Sequence, residues 1–233
     1  MMPHGILAVW SDIDVAGEDD YNAWYDREHL FERLDVPGFH RGYHYVTVSG
    51  SPRYFTYFVT DNAAVMASQA YLAQANQPSP WTRRVLPYFR DTNRTACNVV
   101  YRIGRGYGGA SLTIRLATIA GQEDELIAWL SETQLPTLIE QPGLIGAQIW
   151  RADRRATLMP VEDRRLRPEP DQVAELVVFV EGTLVDRLKA VAGGGLSSDS
   201  LVAHGGDRPL IAIHQLLNGA EKEELPTIEP RPV

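Results

Sequence analysis

A chain of 233 residues, 44% hydrophobic and 22% charged, has the composition of an ordinary globular protein, with enough residues for one large domain or two small ones. Its net charge of -8 and pI near 5.3 argue against nucleic acid as a partner, which calls for a basic field. The single cysteine, Cys97, excludes an intrachain disulfide and a cysteine-based metal site. No apolar run approaches the roughly 20 residues of a bilayer span, and Met1-Met2-Pro3-His4 lacks a secretory pattern, so no membrane partner and a cytoplasmic location are expected.

In chain order, Gly5 to Ser11 predicts a strand and Asp19 to Leu34 a helix, stopped by Val36-Pro37-Gly38. Phe39 to Val48 alternates in the period-2 manner of a strand, and a Ser/Gly/Pro turn leads to a second strand, Arg53 to Thr60. Helices follow over about 63–75, and from Ser79-Pro80 to about Phe89; a strand from Arg94 to Ile103 closes the unit. The order is βαββαβ, a ferredoxin-like unit. After the glycine-rich joint 104–109 the order restarts. Strands are predicted at 111–117, 144–151, 173–181 and 208–217, and helices at 123–135 and 183–192. An Arg/Pro/acid insertion, 152–172, interrupts the second unit, 193–206 reads as flexible, and the tail is acidic and Pro-rich. The expected boundaries are 1–103, 104–109, 110–218 and 219–233.

The two units share landmarks at a constant offset of 105. Glu18-Asp19, Trp24, Leu30 and Pro37-Gly38 are matched by Glu123-Asp124, Trp129, Leu135 and Pro142-Gly143. Between the landmarks the copies diverge. Tyr25, Glu28, His29 and Arg33 stand opposite Leu130, Thr133, Gln134 and Leu138. Chemistry is therefore expected in the first copy, with the second completing the scaffold.

The segment Tyr21-Asn22-Ala23-Trp24-Tyr25-Asp26-Arg27-Glu28-His29-Leu30, followed by Val36-Pro37-Gly38-Phe39, resembles the first helix and turn of EthD-like proteins of the dimeric α+β barrel superfamily. Phe31 stands where that family usually has proline, whereas the second copy keeps Leu135-Pro136 but has Gln134 in place of the histidine. The resemblance implies an α+β fold in which two ferredoxin-like βαββαβ units form a pseudo-dimeric barrel. It also implies a pocket for a small hydrophobic, aromatic or polyketide-like molecule. It does not imply one reaction, since the superfamily includes monooxygenases, cyclases, isomerases, decarboxylases, haem enzymes and ligand-binding regulators.

On a wheel of 100° per residue, Tyr21, Trp24, Phe31 and Leu34 form an apolar arc that contains Glu28. Desolvation there would raise the carboxyl toward a useful acid/base range. His29 lies at the edge of the arc beside Tyr25, with an unperturbed pKa suited to proton transfer. Glu28 reads equally as an ion-pair partner, and His29 as a core-edge histidine. On the following strand Phe39, Arg41, Tyr43 and Tyr45 are expected on one face, where Arg41 with Tyr43 would hold a carboxylate or phenolate. The aromatic density of these strands reads as core or as pocket lining. His40 and His44, about 13 Å apart along the strand, are too distant to share a metal. No nucleotide-binding loop or nucleophile elbow is present.

The leading expectation is thus a cofactor-free lyase, isomerase or cyclase. Glu28 and His29 would move a proton, and Trp24, Tyr25, Arg41 and Tyr43 would hold the substrate. The alternatives are a non-catalytic binding or accessory protein for a hydrophobic metabolite, and a haem-dependent enzyme. The insertion reads as a solvated loop, or as a lid or subunit contact pairing with Glu221, Glu223 and Glu224. Homodimerisation is left open by the sequence.

Overall fold

The structure is a computed structural model and describes residues 4–222. The first unit runs β1 (Gly5–Ile13), α1 (Glu18–Trp24), a π-helical turn (Tyr25–His29), α2 (Leu30–Leu34), β2 (Phe39–Ser49) and β3 (Tyr54–Thr60). It continues through a 3-10 turn (Ala63–Ala67), α3 (Gln69–Ala75), α4 (Pro80–Val85) and β4 (Phe89–Gly104). The second unit has β5 (Ala110–Thr118), α5 (Glu123–Trp129), a π turn (Leu130–Gln134), α6 (Leu135–Ile139) and β6 (Leu144–Ala152). Then come α7 (Arg154–Thr157), α8 (Glu162–Arg165), β7 (Leu176–Gly182), α9 (Val185–Gly193), α10 (Ser198–Ala203) and β8 (Gly206–Glu221).

The eight strands close into one antiparallel barrel in the order β1-β3-β2-β8-β5-β7-β6-β4. Each unit contributes the ferredoxin-like order, 4-1-3-2 and 8-5-7-6. The two seams, β2 with β8 and β6 with β4, are equivalent under the repeat. Closure removes the exposed edges that each sheet would have alone. It also explains why β4 and β8 outrun the predicted strands. Residues 89–98 of β4 pair with β1 of their own unit, and 97–104 pair with β6 of the other.

Helices cover the outside of the barrel and aromatic side chains fill its inside. Ile6, Trp10, Tyr45, Phe55, Tyr57 and Phe179 belong to the interior cluster, so the lumen is a packed core. Two further apolar clusters lie between each sheet and its own helices. The turn glycines Gly38 and Gly143 take φ of +91° and +90°, a conformation that side-chain-bearing residues rarely adopt.

Two local features revise the predicted faces. The π turn inserts one residue into the first helix and rotates everything after it by about 100°. His29, Leu30, Arg33 and Leu34 therefore turn inward, and Phe31 is 49% exposed. The second unit carries the same turn at the position 105 residues on. On β2, a register shift between Phe39 and Arg41 places Phe39 with Gly42, His44 and Val46 on the helix side. Tyr43 and Tyr45 face the barrel interior, so Phe39 does not share their face as expected. The predicted loop 152–172 contains α7 and α8, and the segment expected to be flexible contains α10. Strand β8 continues to Glu221, into the region expected to be tail; Glu223 and Glu224 lie outside the described residues.

Candidate functional site

A small, partly open cavity of about 30 Å³ lies between the first sheet and its helices. Leu7 and Val9 of β1, Phe58 of β3 and Phe89 of β4 give it an apolar floor, and the first helix supplies Trp24, Tyr25, His29 and Arg33. The His29 ring stacks on the Trp24 indole at 3.9 Å and 26°, and Trp24 Nε1 donates to Thr82 Oγ1 on α4 at 3.1 Å. Tyr25 stacks face to face on His44 at 4.1 Å, and His44 bonds Thr56 Oγ1 through Nδ1 at 2.9 Å. These contacts fix the rings before any ligand arrives.

The remaining wall comes from the second unit. The insertion between β6 and β7 crosses over the first unit and contributes Asp163 and Arg167. Arg33 Nη2 stands 2.5 Å from Asp163 Oδ2. Arg167 bonds Asp171 at 2.6 Å, and Arg94 of β4 donates to Tyr71 Oη at 2.6 Å. Backbone bonds seat the insertion, including Glu162 N–H to Asn76 Oδ1 at 2.9 Å and Ala174 N–H to Thr95 Oγ1 at 3.0 Å. The insertion is thus neither a solvated loop nor a partner of Glu221, which instead pairs with Arg41.

Among the described residues, three buried polar atoms around this cavity have no hydrogen-bond partner: His29 Nδ1, Asp163 Oδ1 and Arg167 Nε. Native interiors leave few such groups unsatisfied, so water or a ligand is needed to meet these three. Glu32 Oε2 is 3.7 Å from His29 Nδ1, beyond hydrogen-bond reach. Burial pushes the His29 imidazole well below its ordinary pKa, Arg33 adds to the effect, and Asp163 opposes it. The ring is neutral at neutral pH and has a lone pair to offer.

The sequence-derived residues divide. His29, Trp24 and Tyr25 meet at the cavity. Glu28 does not line it: the carboxylate is half-buried and accepts from Ser79 Oγ at 2.5 Å, at the N-cap of α4. The π turn carries it out of the apolar arc in which the regular wheel places it. Arg41 and Tyr43 lie at the barrel end on the other side of the sheet. There Arg41 Nε pairs with Glu221 at 2.8 Å and its guanidinium covers the Tyr107 ring at 5.0 Å. Burial pushes the Tyr43 phenol up to about 12.

Arg33, Tyr71, Arg94, Asp163 and Arg167 were not singled out as site residues by sequence reasoning. Arg33 carried a signal, since it faces Leu138 across the repeat. Strand register supplies the same contrast for Arg94: Val9 pairs with Arg94 in the first unit, and Ile114 with Ile211 at the equivalent place in the second. Gln134, Leu138 and Ile211 thus replace His29, Arg33 and Arg94. Among the described residues no group of three His, Cys, Asp or Glu side chains is placed to hold a metal ion, and no helix is long and apolar enough to cross a membrane.

The fold is shared with solved structures over nearly the whole chain. An anthrone oxidase-like protein is 10% identical, with 98% of each chain covered and a TM-score of 0.67. A candidate monooxygenase from Fusobacterium nucleatum subsp. nucleatum is 12% identical, with 97% of this chain and 98% of that one covered and a TM-score of 0.59. A haem-binding protein from Thermus thermophilus is 12% identical, with 94% and 92% covered and a TM-score of 0.53. At these identities the likeness is one of fold. The chain has the ferredoxin-like dimeric α+β barrel architecture, with both units fused in one polypeptide. No protein-family model and no curated protein matches the sequence.

Proposed function

We propose that the His29 cavity is the working site of a cofactor-independent enzyme of lyase, isomerase or cyclase type, acting on a small aromatic or polyketide-like molecule. The observation that carries this reading is the buried, neutral, incompletely bonded imidazole of His29, held by Trp24 against a small cavity with an apolar floor and charged walls. A neutral imidazole can take a proton from an acidic C–H or O–H, and Asp163 across the cavity favours the imidazolium that results. Tyr25 and Trp24 frame the ring. Glu28 serves α4 in this reading, and Arg41 and Tyr43 take no part.

The EthD-like motif around His29 supports the reading, and so does the fold likeness to an anthrone oxidase-like protein. A haem does not fit the cavity as formed, because a porphyrin occupies many times about 30 Å³. The test is deuterium incorporation in D₂O at the methylene of phenylpyruvate, a small aromatic molecule with an acidic C–H. The native chain should accelerate exchange, and His29→Gln should lose at least tenfold while keeping its circular dichroism. Binding of phenylpyruvate without accelerated exchange makes this a binding protein and overturns the enzymatic reading.

A further inference from the structure

The charge around the cavity does not balance. Arg33, Arg94 and Arg167 line it, and Asp163 is the one carboxylate among the lining residues. Behind them Asp171, its side chain fully buried, takes both Arg164 at 2.9 Å and Arg167 at 2.6 Å. Four guanidiniums thus share two carboxylates. Arg94, only 4% exposed, pairs with no carboxylate among the described residues and donates to Tyr71 Oη and the Thr157 carbonyl. Counting Glu32 as ionised still leaves positive charge in excess, although the chain as a whole carries -8. Buried charge left uncompensated is costly, and a protein that keeps it has a use for a counter-charge.

Size restricts what that counter-charge can be. About 30 Å³ admits one or two waters or a head group of about three heavy atoms, and leaves the aromatic part of a ligand outside it. Guanidinium presents parallel N–H donors that match a planar carboxylate. Arg167 Nε has no acceptor in this cavity, and Asp163 Oδ1 has no donor. We propose that the cavity receives the carboxylate head of an organic acid, held between Arg94 and Arg167, with a hydroxyl or water meeting Asp163 Oδ1. This rests on the cavity being the ligand site and adds the charge class of the ligand. An anion at that place also favours a protonated His29, which helps the imidazole accept its proton. The second unit has no counterpart, since Leu138 and Ile211 stand where Arg33 and Arg94 would be.

The test uses formate as probe and formamide as its neutral isostere, at constant ionic strength. Formate should raise the melting temperature saturably, and formamide should not. Arg94→Gln and Arg167→Gln, each checked for native circular dichroism, should weaken formate binding at least tenfold; two variants guard against one failing to fold. Equal responses to formate and formamide overturn the proposal, as does an unchanged formate response in both variants. His29→Gln should keep formate binding while losing proton transfer, so failure here and failure of the proton-transfer reading are distinguishable.

Discussion

Arg33 of the first repeat and Asp163 of the second form a buried ion pair, 2.5 Å from Nη2 to Oδ2, with each side chain 7% exposed. The pair fastens the insertion of one unit over the cavity of the other. The two copies of the duplication therefore cooperate at one site, and the second copy does more than complete the barrel.

Removing one partner of that pair leaves a charge stranded. Asp163→Ala should lower stability by about 3–5 kcal/mol, read from urea denaturation midpoints. The double variant Arg33→Met, Asp163→Leu should recover most of the loss, since apolar residues of similar size need no compensation. A loss below about 1 kcal/mol in the single variant would mean that the pair is solvated.

Glu181 on β7 is 4% exposed inside the barrel, and burial pushes its carboxyl up to about 7. The folded form binds this proton more tightly than the unfolded chain does. The stabilisation is complete below about pH 4.5 and is lost as pH rises through 7, by an amount on the order of 3 kcal/mol. Glu181→Gln should flatten that decline and be more stable than the native chain at pH 8. A stability difference between the native chain and Glu181→Gln that stays constant between pH 5 and 8 would contradict it.

His44 and His214 respond with the opposite sign. Burial holds both down to about 3, and each ring is hydrogen-bonded to threonine, His44 to Thr56 and His214 to Thr113 and Thr47. Their contribution is present above about pH 6.5 and is lost as pH falls toward 3. Imidazole proton resonances followed by NMR should stay in the neutral position down to pH 5. Titration of either ring near 6.5 in the folded protein would disprove the assignment.

Gly42 on β2 lets the first helix approach the sheet. A methyl group there would come within 2.7 Å of the Phe58 ring and 3.0 Å of Leu30, both backing the cavity region. Gly42→Ala should cost about 1–3 kcal/mol through forced repacking. Thermal denaturation checks this, and an unchanged midpoint would show that the ring yields freely.

The duplication, the βαββαβ order and the asymmetry between the copies were all legible in the sequence, because apolar periodicity and turn residues are local signals. Closure of the barrel left no local signal: the length of β4 is set by a partner strand about 50 residues away. The site was half legible. His29, Trp24 and Tyr25 stood in a recognisable motif, but a π turn that no single residue announces moved Glu28 out and Arg33 in. A one-residue bulge in β2 likewise reassigned Phe39. Arg94 and Asp163 were hidden for another reason, since each takes its meaning only from a chain segment brought across the fold.

The most direct measurement of the central claim is a crystal structure of the protein with an aromatic carboxylic acid, phenylpyruvate, bound. The expected result is ligand density with its carboxylate between Arg94 and Arg167 and its methylene beside His29, the Arg33–Asp163 pair being kept. Density instead at the barrel end beside Arg41 and Tyr43, with the His29 cavity unchanged, would contradict it.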